Sequence, residues 1–360
     1  MKLKNYFNFL LKTGLCVFSI SLMLSTFVAS ANNQARSLEL VGSAPVKLKL
    51  NDGRTKIVSL LRLKLSQHLR DAYASRINKI LHDHSPLKAP SDLPPSKSLG
   101  MNGEPVLDQG VWGTCTTFAN TGAINALFSL QGDQRVSQLC NLQVGRTQAS
   151  PDGYWNGAWG DQVLKQINDD GYLPLTYQRA TGCGGLKEYP THSYDNGNAM
   201  SADTFKASSL KTFTAEDWKT IFQNYNPLPL DQAKQMLVKV KEALNAGDRV
   251  TFATLLTPVG NMGAVGTYKG VANDTWVLTP EVSKDIKDHT YLGGHEIIID
   301  GYDDNACATY TEQGELQQQC GLFEIRNSWG DKAGNQGDWY MTYDHFMGLA
   351  MEAFDIGAKT

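Results

Sequence analysis

Among the 360 residues, the stretch Gln109-Gly110-Val111-Trp112-Gly113-Thr114-Cys115 is the one best suited to sulfur chemistry. This glycine-punctuated loop runs into Phe118, Ala119, Ala123, Ile124, Ala126, Leu127 and Leu130 at helical spacing, which predicts Cys115 in a first helical turn. Unpaired N–H groups and the positive end of the helix dipole favour thiolate there, so the thiol is a candidate nucleophile. A cysteine merely packed in a core would be inert, and the partner residues decide between the two. Gly293-Gly294-His295-Glu296-Ile297-Ile298-Ile299-Asp300-Gly301-Tyr302 reads as a histidine opening a β-branched strand that ends in a glycine turn. Phe323-Glu324-Ile325-Arg326-Asn327-Ser328-Trp329-Gly330 reads as a short strand entering a polar turn.

Taken in order over residues 91–355, these segments resemble the papain-like cysteine peptidases, with their Gln-Gly…Cys, His…Gly-Tyr and Asn-Ser-Trp-Gly motifs. The resemblance implies that Cys115 attacks a carbonyl, that His295 pairs with it and protonates the leaving amine, and that Asn327 orients the imidazole. It further implies that Trp329 shields the His–Asn hydrogen bond, and that the Gln109 side chain and the Cys115 backbone N–H form an oxyanion hole. By the same resemblance Tyr154 to Trp159 hold the place of the substrate-binding strand, with Asn156, Gly157 and Ala158 as contacts. Ala253 is implied to lie near the pocket for the second residue before the cut bond, and Gly294 to be a further substrate contact. Ala158 stands where a second glycine is usual, and Thr116 where a tryptophan is usual. Glu296 takes a position that is commonly small; strand alternation puts it beside the pocket, either to favour a basic side chain or as a solvated or prosegment-paired carboxylate. A cysteine pair usual near the nucleophile is absent, and Trp112 and Trp155 stand at about those places, two indoles that could pack together or be independent.

The elements that must position these residues follow from the rest of the chain. The fold class implied is α+β, a papain-like arrangement of a helical half and an antiparallel β-sheet half, behind a hairpin-helix prosegment. Residues 1–31 carry early lysines, an apolar run and the small-x-small Ala29-Ser30-Ala31, a signal peptide in place of a stable membrane anchor. Export to a secreted or periplasmic location means an oxidising compartment, where five cysteines remain after the leader is removed. Locality and the resemblance together favour Cys140–Cys183 and Cys307–Cys320, leaving Cys115 free; four cysteines allow three pairings.

Residues 32–95 are expected to be an inhibitory prosegment. Val46, Leu48 and Leu50 alternate with lysines, Asn51-Asp52-Gly53 signals a turn, and Arg54 to Leu61 is again extended, which predicts a hairpin. From Leu65 to Leu81 the apolar spacing becomes helical until Pro86 and Pro90. Residues 32–90 carry eleven Lys and Arg against four acids, a net of +7, whereas residues 91–360 carry nineteen against thirty-two, a net of -13. A basic segment tethered to an acidic body should dock with help from charge. The run Ala89 to Ser98 is the expected cleavage region.

Residues 96–360 form the expected peptidase domain, a monomer acting on peptide or protein substrates. Helices are predicted over 161–170 and 231–246 and a strand over 250–256. Residues 184–230 lengthen the Cys115–His295 separation to 180 and are read as a surface excursion. Overall net charge of -3 gives no bias toward nucleic acid, and the histidine spacings suggest no metal site and no cofactor. The same three residues could instead serve an acyl transferase or deamidase, or sit idle in a binding protein.

Overall fold

A computed structural model describes residues 38–83, 93–149 and 152–357. The leader and the stretch 84–92 lie outside these residues, and with them the first part, 89–92, of the expected cleavage region. In chain order the elements are β1 (Leu38–Lys49), β2 (Thr55–Leu65), α1 (Gln67–Leu81), β3 (Ser96–Ser98), α2 (Cys115–Leu127), α3 (Gln138–Gln148), α4 (Gly160–Asp170), α5 (Leu175–Thr181) and α6 (Ala202–Ser208). They continue with β4 (Trp218–Gln223), α7 (Leu230–Ala246), β5 (Arg249–Leu256), β6 (Ala264–Gly266), β7 (Thr275–Trp276), α8 (Pro280–Asp288), β8 (Tyr291–Glu312), β9 (Glu315–Arg326), β10 (Asp338–Thr342), α9 (Tyr343–Leu349) and β11 (Ala350–Ile356).

The sheet runs β4-β11-β5-β8-β9-β10-β7-β6, antiparallel except where β10 meets β7. Its spine is β8, whose Ile297, Ile298 and Ile299 are buried, as a continuous β-branched run between two neighbours requires. At Gly293 and Gly294 one edge of β8 faces β5, and the other is taken by β2 of the hairpin. Gly53, at φ 82° in the turn, lets Leu50 and Arg54 close the hairpin, and the strands run on well beyond the predicted alternation. Leu48, Val58, Leu60, Leu61, Leu63 and Leu65 are all at most 4% exposed. At roughly 1.5–3 kcal/mol each, their burial contributes on the order of 10 kcal/mol before ordering costs, so the hairpin is packed as core and not as a tether.

Ser66 caps α1 by accepting from the Leu69 N–H at 3.2 Å, and Leu69, Tyr73, Ile77 and Ile80 face the body. Among the described residues two large apolar cores result, beside a small third cluster of Val277, Ala306, Ala308 and Leu322. One joins the sheet, the hairpin, α1 and α7 to α9; the other joins α2 to α4 with Trp155, Phe205 and Phe213. Helix α2 is their seam, because Cys115 belongs to the first and Ala119, Ala123 and Ile124 to the second.

Two expectations are corrected here. Residues 184–230 are no mere excursion: Phe205 and Phe213 are wholly buried and β4 joins the sheet through β11, since scattered aromatics in a polar stretch found a core to enter. Ser96–Ser98, the end of the expected cleavage run, is not loose chain but pairs with Gly301 to Asp303 of β8.

Candidate active site

Cys115 is the first residue of α2, fully buried and unbridged. The chain also contains the disulfides Cys140–Cys183 and Cys307–Cys320, the second between residues directly opposite on β8 and β9. His295 stands on β8 opposite Thr254 of β5. Its Nε2–H donates to Asn327 Oδ1 at 2.8 Å, and that oxygen also accepts the Ser328 N–H at 2.7 Å. With Nε2 holding the proton, Nδ1 is the bare, basic nitrogen, and it has no hydrogen-bond partner among the described residues. The Trp329 ring lies over the imidazole, centroids 4.4 Å apart and planes 19° from parallel. Trp329 is 1% exposed and braced edge-on by Trp339 and Trp276, so water is kept from the His295–Asn327 bond.

Gln109 is brought in by backbone pairing. Its N–H donates to Ser328 O at 2.9 Å and Gly330 N–H donates to Leu107 O at 3.0 Å, which ties the loop before Cys115 to the Asn327 turn. Ser328 Oγ donates to Gln109 Oε1 at 2.8 Å and thereby fixes which way the amide points. Sequence reasoning passed over Ser328, although it sits between Asn327 and Trp329. The Gln109 amide nitrogen donates to Trp112 O and to Ser59 O, both at 2.9 Å. Ser59 belongs to β2, so the hairpin supplies a peptide carbonyl to this donor.

The rest of the hairpin fills the neighbourhood. Leu61 and Leu63 flank Gly294, and a Cβ on Gly157, at φ 118°, would fall 2.9 Å from Leu61 Cδ2 and 3.2 Å from Leu40 Cδ1. Ser43 Oγ donates to Asn156 Oδ1 at 3.3 Å, and Lys56 Nζ reaches Asp108 Oδ2 at 2.5 Å and Trp329 O at 2.9 Å. Ala158 is 2% exposed, its carbonyl accepting from Thr116 Oγ1 at 2.9 Å.

Burial disfavours the charged form of both Cys115 and His295. Burial pushes the Cys115 thiol up to about 12; the Glu296 charge adds to the rise, and hydrogen bonds from the Glu296 backbone and from Thr116 oppose it. Burial also takes His295 down to about 4, against the bond to Asn327 that favours the charged ring. Both shifts favour the uncharged forms, thiol and neutral imidazole.

Glu296 departs from both carboxylate alternatives. It is wholly buried, neither solvated nor paired with the hairpin, and accepts from Asn120 Nδ2 of α2 at 2.7 Å. Glu296, Ala253 and Glu352 stand in one row across β8, β5 and β11, so the small Ala253 separates two inward acids. Burial and the Glu352 charge hold Glu296 well above the ordinary carboxyl range. Trp112 and Trp155 do meet, edge to face at 4.9 Å, with Trp155 wholly buried.

Neither a protein-family model nor a curated protein sequence matches the chain. Among solved structures it is similar to xylellain, a cysteine protease from Xylella fastidiosa, at 19% identity and a TM-score of 0.49, over 77% of this chain and 94% of that one. It is also similar to digestive procathepsin L 3 of Tenebrio molitor, at 16% identity and a TM-score of 0.45, over 80% and 79% of the two chains. A third likeness is to the proform of the ragweed pollen cysteine protease Amb a 11, at 16% identity and a TM-score of 0.43, over 81% and 76%.

Proposed function

We propose that the chain is the precursor of an exported, papain-like cysteine endopeptidase, held latent by its own hairpin. The observation that carries this reading is the His295–Asn327 bond together with the tie between the Asn327 turn and Gln109, on the loop that leads into the helix-start thiol Cys115, with the Ser59 carbonyl on the Gln109 amide. Cys115 Sγ attacks a peptide carbonyl while its proton passes to His295 Nδ1. The oxyanion is held by Gln109 Nε2 and the Cys115 N–H. Collapse expels the amine, which takes the proton from His295 and leaves a thioester. Water, deprotonated by His295, then releases the acid and restores the thiol.

On this reading the substrate takes the place of β2. The edge of β8 at Gly293 and Gly294, freed of Leu61 and Arg62, would pair with an extended peptide, and the glycine surface at Gly157 would accept the side chain that Leu61 now mimics. Asn156 and Ala158 adjoin that surface, while Ala253 and Glu296 lie deeper, under α2. Latency follows from occupancy of the oxyanion donor and from burial of the Cys115–His295 pair. The two disulfides accord with an oxidising destination.

The test is to incubate the purified precursor over a range of pH, map the new N-terminus and profile peptide cleavage. A new terminus after residue 83 accompanied by cleavage lost in Cys115→Ala is expected. Processing without any peptidase activity would contradict the reading.

A further inference from the structure

The loop between Gln109 and Cys115 is bridged by a residue from the stretch that lengthens the chain between Cys115 and His295. The Tyr189 hydroxyl donates to the Gln109 carbonyl at 2.8 Å and lies 2.9 Å from Thr114 Oγ1. One hydroxyl can do both, donating to the carbonyl while accepting from Thr114. Thr114 is of the type that ordinarily caps a helix, yet its side chain makes no cap bond to α2; it is turned to Tyr189 instead. The first-turn N–H groups of α2 are thereby left without a side-chain cap at the point where an oxyanion would need one of them.

The Tyr189 ring is itself fixed. It stacks on Trp155 at 5.7 Å and 8°, and meets Phe118 of α2 edge-on at 4.9 Å. The flanking backbone closes on the loop as well, because Val111 N–H donates to Thr191 O at 3.2 Å and Trp112 Nε1–H to Ser193 O at 3.0 Å. At Gly110 an added Cβ would fall 1.9 Å from Thr191 O, so the approach admits glycine alone.

We propose that Tyr189 is a positioning residue whose hydroxyl sets the spacing between Gln109 and Cys115, and so the geometry of the two oxyanion donors. This rests on the reading that Cys115 is the nucleophile and Gln109 a donor. Misplacing such groups by about 1 Å costs up to about a hundredfold in rate, whereas ground-state binding along the β8 edge is untouched.

The experiment compares the processed wild type with Tyr189→Phe, which keeps both ring contacts and removes only the hydroxyl. Active sites are titrated with an epoxide thiol reagent, and kcat, KM and the affinity for a peptide aldehyde are measured per titrated site. Expected are a kcat lower by about tenfold, an aldehyde affinity lower by a similar factor and a KM within about twofold. Thr114→Val, which removes the second partner, should move the same quantities in the same direction, and it carries the test if Tyr189→Phe does not fold. Tyr194→Phe, whose ring edge meets Trp112 at 5.9 Å, should match wild type. If wild type is active and both loop variants keep kcat and aldehyde affinity within about twofold, or lose only titratable sites, the inference is overturned while the peptidase reading stands. A processed wild type inert to peptides and epoxide overturns both.

Discussion

The Gln109 carboxamide donates to the backbone carbonyl of Ser59 over 2.9 Å, so a donor suited to a developing oxyanion is already satisfied by the chain's own hairpin. The consequence is chemical as well as steric. With the hairpin in place burial pushes the Cys115 thiol up to about 12 and His295 down to about 4, so burial disfavours the charged form of each.

Removing the Gln109 amide separates oxyanion stabilisation from thiol reactivity. In processed Gln109→Ala, kcat for a peptide substrate should fall by about a hundred- to a thousandfold. Alkylation of Cys115 by iodoacetamide, which forms no oxyanion, should change by less than about threefold. Parallel loss of both rates would mean that Gln109 supports the loop and not the reaction.

Lys56 anchors the hairpin across the site through Asp108 and the Trp329 carbonyl. The ion pair is partly exposed, with side chains 15% and 33% accessible, so it is worth no more than ~1 kcal/mol. In the unprocessed chain Lys56→Ala should therefore speed Cys115 labelling by about two- to fivefold. Added salt should speed wild-type labelling and leave the variant less affected. Identical salt responses would remove the electrostatic part of docking.

Trp155 is wholly buried between Trp112 and Tyr189. Truncation to alanine opens a cavity that these rings cannot close, and should cost about 3–5 kcal/mol in a denaturant melt. A change below about 1 kcal/mol would show that the cluster is dispensable.

Glu352 makes a pH prediction. Burial lifts it to about 7, the nearby Asp161 charge adding to the effect, while hydrogen bonds from Gly160 and Gln223 oppose it. The folded carboxyl holds its proton more tightly than an unfolded one at 4.5, so this contribution is complete below 4.5 and is lost as pH rises to about 7. Glu352→Gln cannot ionise, so its Tm minus that of wild type should increase from pH 4.5 to 7. Parallel melting curves across that window would contradict the assignment.

What was readable in the chain was whatever depended on local pattern. The apolar spacing after Gly113 put Cys115 at a helix start, the alternation around Asn51-Asp52-Gly53 announced the hairpin, and the β-branched run after His295 announced the spine of the sheet. What was not readable depended on pairing between distant segments. Nothing near Ser59 says that its carbonyl meets Gln109, and nothing near Tyr189 says that its hydroxyl spans Gln109 and Thr114. Glu296 misled because strand alternation gives a face but not what covers it, and the cover proved to be α2 with Asn120. Residues 184–230 misled because polarity hid three phenylalanines, Phe205, Phe213 and Phe222, that the two cores absorb.

The central claim is a nucleophilic Cys115 sheathed by residues 38–65. Labelling full-length and processed protein with an epoxide thiol reagent, locating the adduct by peptide mapping and timing both reactions addresses it directly. The account predicts one adduct at Cys115, formed at least about a hundredfold faster after processing as burial is relieved, with peptidase activity lost in step. Equal rates in the two forms, or an active processed enzyme whose Cys115 stays unlabelled, would contradict it.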